Sequence, residues 1–272
     1  MMRILLFAML TACTVGVPAA IDPPVDPTFD GKVDTPTPGW TSIGVGVQYQ
    51  RVNTGNAILI AYGGYSAKMS YSAAWSTELV NAKLGALDVG QIYAVKGPQD
   101  PGYNAREIQN TKLRAHLKTI DDGTSPIYVV AHSSGSYVAH ELLGQMNRAG
   151  ESQLTRIGYA DLDGGGSGLS STIVGKLRKI TFVYADDPTL TDGTSENSDT
   201  AVALGDFYSP KAQTFEVSVP NTGCNDGAGW CLHDVVITHR PHNPAHFDLA
   251  DDYTDFAHRT PTTEYLDTLV PN

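Results

Sequence analysis

Charge is scarce in this chain. Only 17% of its 272 residues are charged, and 18 basic residues face 29 acidic ones, for a formal net charge of −11. So few cations give no electrostatic hold on nucleic acid or on anionic lipid. Beyond the first residues no apolar run is long enough to cross a membrane. No internal repeat stands out. Cysteine is scarce too, with three in all, an odd number. The length suits one domain with a sizeable core.

The N-terminus reads as a targeting signal. Met1-Met2-Arg3 is a positive n-region and Ile4–Leu10 a short apolar core. Leu10-Thr11-Ala12-Cys13 resembles a bacterial lipobox, which makes residues 1–12 a lipoprotein-type signal and Cys13 a lipidated N-terminus. A plain secretory signal cut after Ala19 or Ala20 is the alternative. Both imply export. With Cys13 acylated, Cys224 and Cys231 remain, and in an oxidising compartment they are expected to pair. Closing that loop stabilises by about 2–3 kcal/mol in the chain-entropy model.

Residues 13–39, rich in Pro, Asp and Thr, read as a tether. The domain is expected over 40–272. Ile43–Val52 alternates as a strand, and Ala57–Tyr62, AILIAY, is a buried strand. Helix is expected over Tyr71–Leu84, strand over Gln91–Val95 and helix over Asn104–Leu117. Further strands fall at Thr155–Ala160, Lys179–Ala185 and Gln213–Val219. A short helix fits Thr172–Leu177, and Tyr253–Leu269 holds a helical tail. Pro188–Thr200, PTLTDGTSENSDT, has no core pattern and reads as a surface loop, either a solvated excursion or a flap. Strands alternating with helices indicate a mostly parallel sheet with helices on both faces.

Chemistry concentrates in Ser125–Met146. Ile127–Ala131 is apolar and β-branched, a buried strand. Val138, Leu142 and Met146 then recur at helical spacing. Between them stands Ala131-His132-Ser133-Ser134-Gly135. Strand, sharp turn with Ser at the apex, then helix is the pattern of the nucleophile elbow of α/β-hydrolases. The strained apex demands small residues two places before and after it, here Ala131 and Gly135. Ser134 as apex would put His132 and Ser136 at those places.

A serine nucleophile needs an oxyanion hole, a base and an orienting acid. The Ser134 N–H is one expected donor. The second lies in Tyr62-Gly63-Gly64-Tyr65 after the AILIAY strand, from Tyr65 or else Gly64. The base is sought after the last strand, where His233, His239, His242 and His246 cluster. His233 comes first, with His239 and His242 as alternatives. His132 is set aside as pointing away from the nucleophile, and His116 and His140 as structural. Two places suit the acid: Asp161 or Asp163 after one strand, and Asp186 or Asp187 after the next.

Several strings resemble pancreatic-type lipases of the same fold. Arg156–Gly166 resembles their strand bearing the triad acid, at the position of Asp163. Cys231-Leu232-His233 resembles their Cys-x-His, whose His is the base. FVYAD at Phe182–Asp186 and GDFYSP at Gly205–Pro210 also resemble their strings. The resemblance implies a Ser133–His233–Asp163 triad in an exported esterase or lipase that needs no cofactor and no metal. Asp163 is followed by Gly where the lipases have Pro, and neither a cysteine-framed lid nor a lipid-binding domain is found, which sets esterase chemistry above interfacial lipolysis. Cutinases are a weaker likeness, with two cysteines seven apart and Asp226 as acid to His239 or His242. Two other classes compete. One is a metal site at His239, His242 and His246 with the acids that follow. The other is a non-catalytic binding module on the same fold. Substrate and oligomeric state are not legible.

Overall fold

The computed structural model describes residues 35–65, 67–98, 105–165, 169–224, 229–239 and 260–270. The leader, Cys13, Asp226, His242 and His246 lie outside them.

An eight-stranded sheet forms the centre. Its strands are β1 (Thr41–Gly44), β2 (Val47–Arg51), β3 (Ala57–Tyr62), β4 (Val89–Val95), β5 (Ile127–His132), β6 (Ile157–Leu162), β7 (Lys179–Asp186) and β8 (Ala212–Ser218). They lie in the order β1-β2-β4-β3-β5-β6-β7-β8. β2 is antiparallel to both β1 and β4, and the other neighbours pair in parallel. The helices are α1 (Met69–Ala82), α2 (Ala105–Ile120), α3 (Gly135–Arg148), α4 (Ser171–Lys176) and α5 (Ser198–Phe207), then the single turns α6 (Trp230–His233) and α7 (Val235–Thr238).

β3 shows why the sheet is two-sided. All six of its residues are buried, so the strand reads as one apolar run. The pleat then sends alternate side chains to opposite faces. Ala57, Leu59 and Ala61 join one core with Trp75 and Leu79 of α1 and Val235 to Ile237 of α7. Ile58, Ile60 and Tyr62 join the other with Leu113 and Leu117 of α2, Val138 and Leu142 of α3, and Ile173 of α4.

The strand order places a crevice. From β3 the chain runs to β4 on one side, and from β5 it runs outward on the other. The loop after β3 leads to α1 on one face, and the turn after β5 leads to α3 on the opposite face. At such a reversal the two connections diverge and leave an opening at the carboxyl ends of the strands.

Five expectations change. Ile43–Val52 is two strands, because Gly46 at φ +64° turns the chain back into an antiparallel pair. Thr155 and Arg156 belong to a 3-10 turn, Ser152–Arg156, and the strand starts at Ile157. Order begins before Trp40: the Gln48 side chain accepts from the Thr37 N–H at 3.0 Å and donates to the Thr35 carbonyl at 3.2 Å. α5 was not foreseen; it starts inside the stretch read as loop. Of the expected helical tail, Glu264–Leu269 is a 3-10 turn.

Behind α3, Asn110 is wholly buried and links two elements. It accepts from the Tyr62 hydroxyl at 2.9 Å and donates to the Val138 carbonyl at 2.7 Å. Asn110→Ala leaves the buried Tyr62 hydroxyl without its acceptor and strips the extra bond from the Val138 carbonyl, and is expected to cost about 1–3 kcal/mol. The loss should shrink when Tyr62→Phe is already present, a double-mutant cycle read by urea denaturation.

Candidate active site

β5 ends at His132, and the next residue breaks the strand. Ser133 takes φ +53°, a left-handed conformation costly for a residue with a Cβ. Its N–H donates to the Leu162 carbonyl at 3.0 Å, and its carbonyl accepts from the Ser136 N–H at 3.0 Å. α3 follows at once. Gly135 packs so tightly on the Tyr62 and Gly63 carbonyls that a Cβ would collide with them. A strand, a strained serine and a helix entering over a glycine have the backbone geometry of a nucleophile elbow on a mostly parallel sheet.

The chain has the α/β-hydrolase fold.

The loop after β3 lies against this elbow. A Cβ on Gly64 would stand 2.9 Å from His132 Nδ1 and 3.2 Å from Ser133 Cβ. Gly64 therefore lies close against the serine, and Tyr65 follows it with its side chain exposed. Ser133 and Ser134 are both part-exposed at the start of α3.

Asp163 and His233 meet although seventy positions separate them. The Asp163 carboxylate is wholly buried, and its Oδ2 lies 2.5 Å from His233 Nδ1. Its Oδ1 accepts from the Ser195 hydroxyl at 2.7 Å and from the Asn197 N–H at 3.1 Å. Asp163 itself takes φ +46° at the end of β6, which turns it out of the strand's alternation. Asp161, still in the strand, faces the other core. There its Oδ2 accepts from the Tyr159 hydroxyl at 3.2 Å and lies 3.4 Å from His140.

His233 ends α6, two residues after Cys231. Cys224 and Cys231 are disulfide-bonded, with Cα atoms 5.6 Å apart. His132 packs on His233, ring centroids 4.7 Å apart, and its Nε2 lies 3.3 Å from the His233 carbonyl. His132 is buried between the Gly64 loop, the elbow and the turn that bears His233. Burial, with His233 beside it, pushes its pKa down to about 4, so the ring is neutral. Burial also pushes His233 down, but the Asp163 hydrogen bond and charge, with Asp234 and Glu196, more than offset this. The net shift is upward from 6.5.

The other candidates are engaged elsewhere. Asp187 is wholly buried and accepts from the backbone and hydroxyl of Thr189 and Thr222 and from the Asn221 N–H. It ties the loop after β7 to the loop after β8. Burial, then the charges of Glu216 and Asp187, raise the Asp186 pKa. His239 pairs with Glu264 at 2.9 Å. Among the described residues no group of three or more His, Cys, Asp or Glu is placed to hold a metal ion.

Sequence reasoning missed Ser195 and Asn197. The stretch Pro188–Asn197 is not a solvated excursion: Gly193 and Ser195 are buried and the loop holds Asp163. The available signal was Asn197 before a helix, a common cap position.

No protein-family model matches the chain. No curated protein matches it either. Solved structures with related backbones include a carboxyl esterase from the mycorrhizal fungus Tuber melanosporum, 11% identical, covering 93% of this chain and 92% of that one, TM-score 0.49. A hormone-sensitive lipase from a metagenome library is 13% identical over 70% of this chain and 79% of that one, TM-score 0.44. An alpha-beta serine hydrolase homologue from Coxiella burnetii is 12% identical over 64% and 83%, TM-score 0.41. Likenesses this remote carry no function across, and the fold rests on the strand order and the elbow.

The geometry predicts two separate histidine titrations. By NMR, His233 should titrate above 6.5 and His132 far below it. Asp163→Asn removes the charge that stabilises the imidazolium, so the His233 pKa should fall. Asp186→Asn should leave it in place. The reverse pattern would assign the acid to Asp186.

Proposed function

We propose that the chain is a serine hydrolase of carboxylic esters working through Ser133, His233 and Asp163. The observation that carries this reading is the buried Asp163–His233 pair, with the His233 ring packed on His132, the residue that precedes the strained Ser133.

Ser133 Oγ attacks the ester carbonyl while His233 Nε2 takes its proton. Asp163, at Nδ1, holds the tautomer that leaves Nε2 free to accept and stabilises the imidazolium. The oxyanion is held by the N–H groups of Ser134 and Tyr65, with Gly64 as the alternative second donor. Position at the start of α3 favours negative charge there. His233 then gives its proton to the departing alcohol, leaving an acyl group on Ser133. Water, deprotonated by the same imidazole, releases the acid and restores the serine.

Export belongs to the same proposal. The Cys224–Cys231 disulfide is compatible with an oxidising compartment, and the lipobox-like leader makes Cys13 the anchor. A clickable fatty acid fed to an expressing bacterium should label the full chain, and Cys13→Ser should abolish that label. Persistent labelling of the Cys13→Ser chain would remove the anchor.

The deciding experiment is fluorophosphonate labelling of the purified protein, with the adduct mapped by mass spectrometry. Label is expected on Ser133, and Ser133→Ala should lose both label and ester turnover while keeping its Tm. Asp163→Asn should lower kcat by about 10³–10⁴-fold. In the wild type kcat/KM should rise with pH through the His233 pKa, above 6.5, because only the neutral imidazole accepts the serine proton. A folded protein that takes no label would be a binding module on a hydrolase fold.

A further inference from the structure

The loop that holds Asp163 also carries a carboxylate of its own. Its residues are tied down on both sides of Glu196. Thr194 bridges Asp186. The Ser195 N–H donates to the Ala185 carbonyl at 2.8 Å, and its hydroxyl accepts from the Ala185 N–H at 2.9 Å while donating to Asp163. Asn197 donates to Asp163 twice, from its backbone N–H to Oδ1 and from its side chain to the carbonyl at 2.9 Å.

The base side presses on the same residues. Gly229, at φ +74°, precedes the helix that bears His233. A Cβ on it would stand 2.6 Å from the Glu196 nitrogen and 2.7 Å from the Thr194 carbonyl. Glu196 is thus clamped between β7 and Asp163 on one side and the turn that precedes His233 on the other. Its neighbours Ser195 and Asn197 face inward, and its own side chain is exposed.

We propose that Glu196 determines the charge preference of the site, favouring esters with a cationic acyl or alcohol part and disfavouring anionic ones. This rests on the hydrolase reading above. Among the described residues, the groups that act on His233 are Asp163, bonded at Nδ1, the neutral His132 ring packed on it, and the charges of Asp234 and Glu196. Asp163 and Asp234 are buried. Glu196 is the exposed carboxylate of the set, so it is the one that an arriving substrate meets. Its charge also acts on the chemistry. Partial burial and the Asp163 charge raise its pKa against the opposing pull of His233, and Glu196 in turn raises His233.

The test uses three 4-nitrophenyl esters of matched shape: the cationic 4-(trimethylammonio)butanoate, the neutral 5,5-dimethylhexanoate and the anionic glutarate monoester. kcat/KM is measured at about pH 8, where carboxylates are ionised, on the wild type, Glu196→Gln and Glu107→Gln. Glu107 is an exposed acid on α2 and removes the same charge elsewhere. The cationic-to-anionic ratio is read within each variant, so a general change in activity cancels.

Glu196→Gln should lower that ratio by about fivefold or more, the scale of a unit-charge contact in water. Glu107→Gln should leave it unchanged, and about 1 M salt should compress it in the wild type. The acid limb of kcat/KM for the neutral ester should move to lower pH in Glu196→Gln, since losing a nearby negative charge lowers the His233 pKa. A ratio unaltered by Glu196→Gln, or lowered equally by Glu107→Gln, overturns the proposal while the neutral ester is still turned over. Failure of all three esters together with no fluorophosphonate adduct on Ser133 removes the hydrolase reading instead.

Discussion

A carboxylate with no access to water must find its donors inside the protein, and Asp163 is such a group. Left without partners, a buried charge is among the costliest features a fold can contain. Here the donors come from two stretches remote from β6. One is the loop between β7 and α5, through Ser195 and Asn197, and the other is α6, through His233. Satisfying one charge therefore joins the end of β6, a polar loop and the turn after β8. The disulfide at Cys231 and the close approach of Gly229 to residues 194–196 hold the base side of this joint.

A second constraint is room. The connections after β3 and β5 leave on opposite faces of the sheet, and the elbow occupies the opening between them. Ser133 sits there in a strained conformation, kept by its bonds to Leu162 and Ser136 and by glycines where side chains would collide. His132 fills the space between the Gly64 loop, the elbow and His233. Its neutrality matters, because a second imidazolium there would oppose protonation of His233.

The buried strands were legible because burial on both faces leaves no polar position, as AILIAY shows. The elbow was legible because its small residues and apex serine have steric causes close in sequence. The hairpin of β1 and β2 was not, since apolar residues continue across Gly44 to Gly46 and hide the reversal. α5 was hidden as well, because its first turn is polar and continues the composition of the loop before it. Asp161 and Asp163 stand two apart in the same string, and period-two alternation alone would put both on one face. The positive φ of Asp163 separates them, and Asp161 goes to Tyr159 and His140 instead.

The chain by itself determined the layered sheet, the elbow and the short set of candidate acids and bases, since each follows from side-chain size, polarity and local spacing. Residue pattern alone left the partners open among Asp161, Asp163, Asp186 and Asp187 and among His233, His239 and His242; a resemblance pointed to Asp163 and His233, and their contact exists only in three dimensions. A hydrogen bond between residues 163 and 233 depends on how strands and loops pack, and no local pattern encodes that distance. The same holds for Ser195 and Asn197: their composition says exposed loop, and only the need to satisfy the buried Asp163 carboxylate draws them inward.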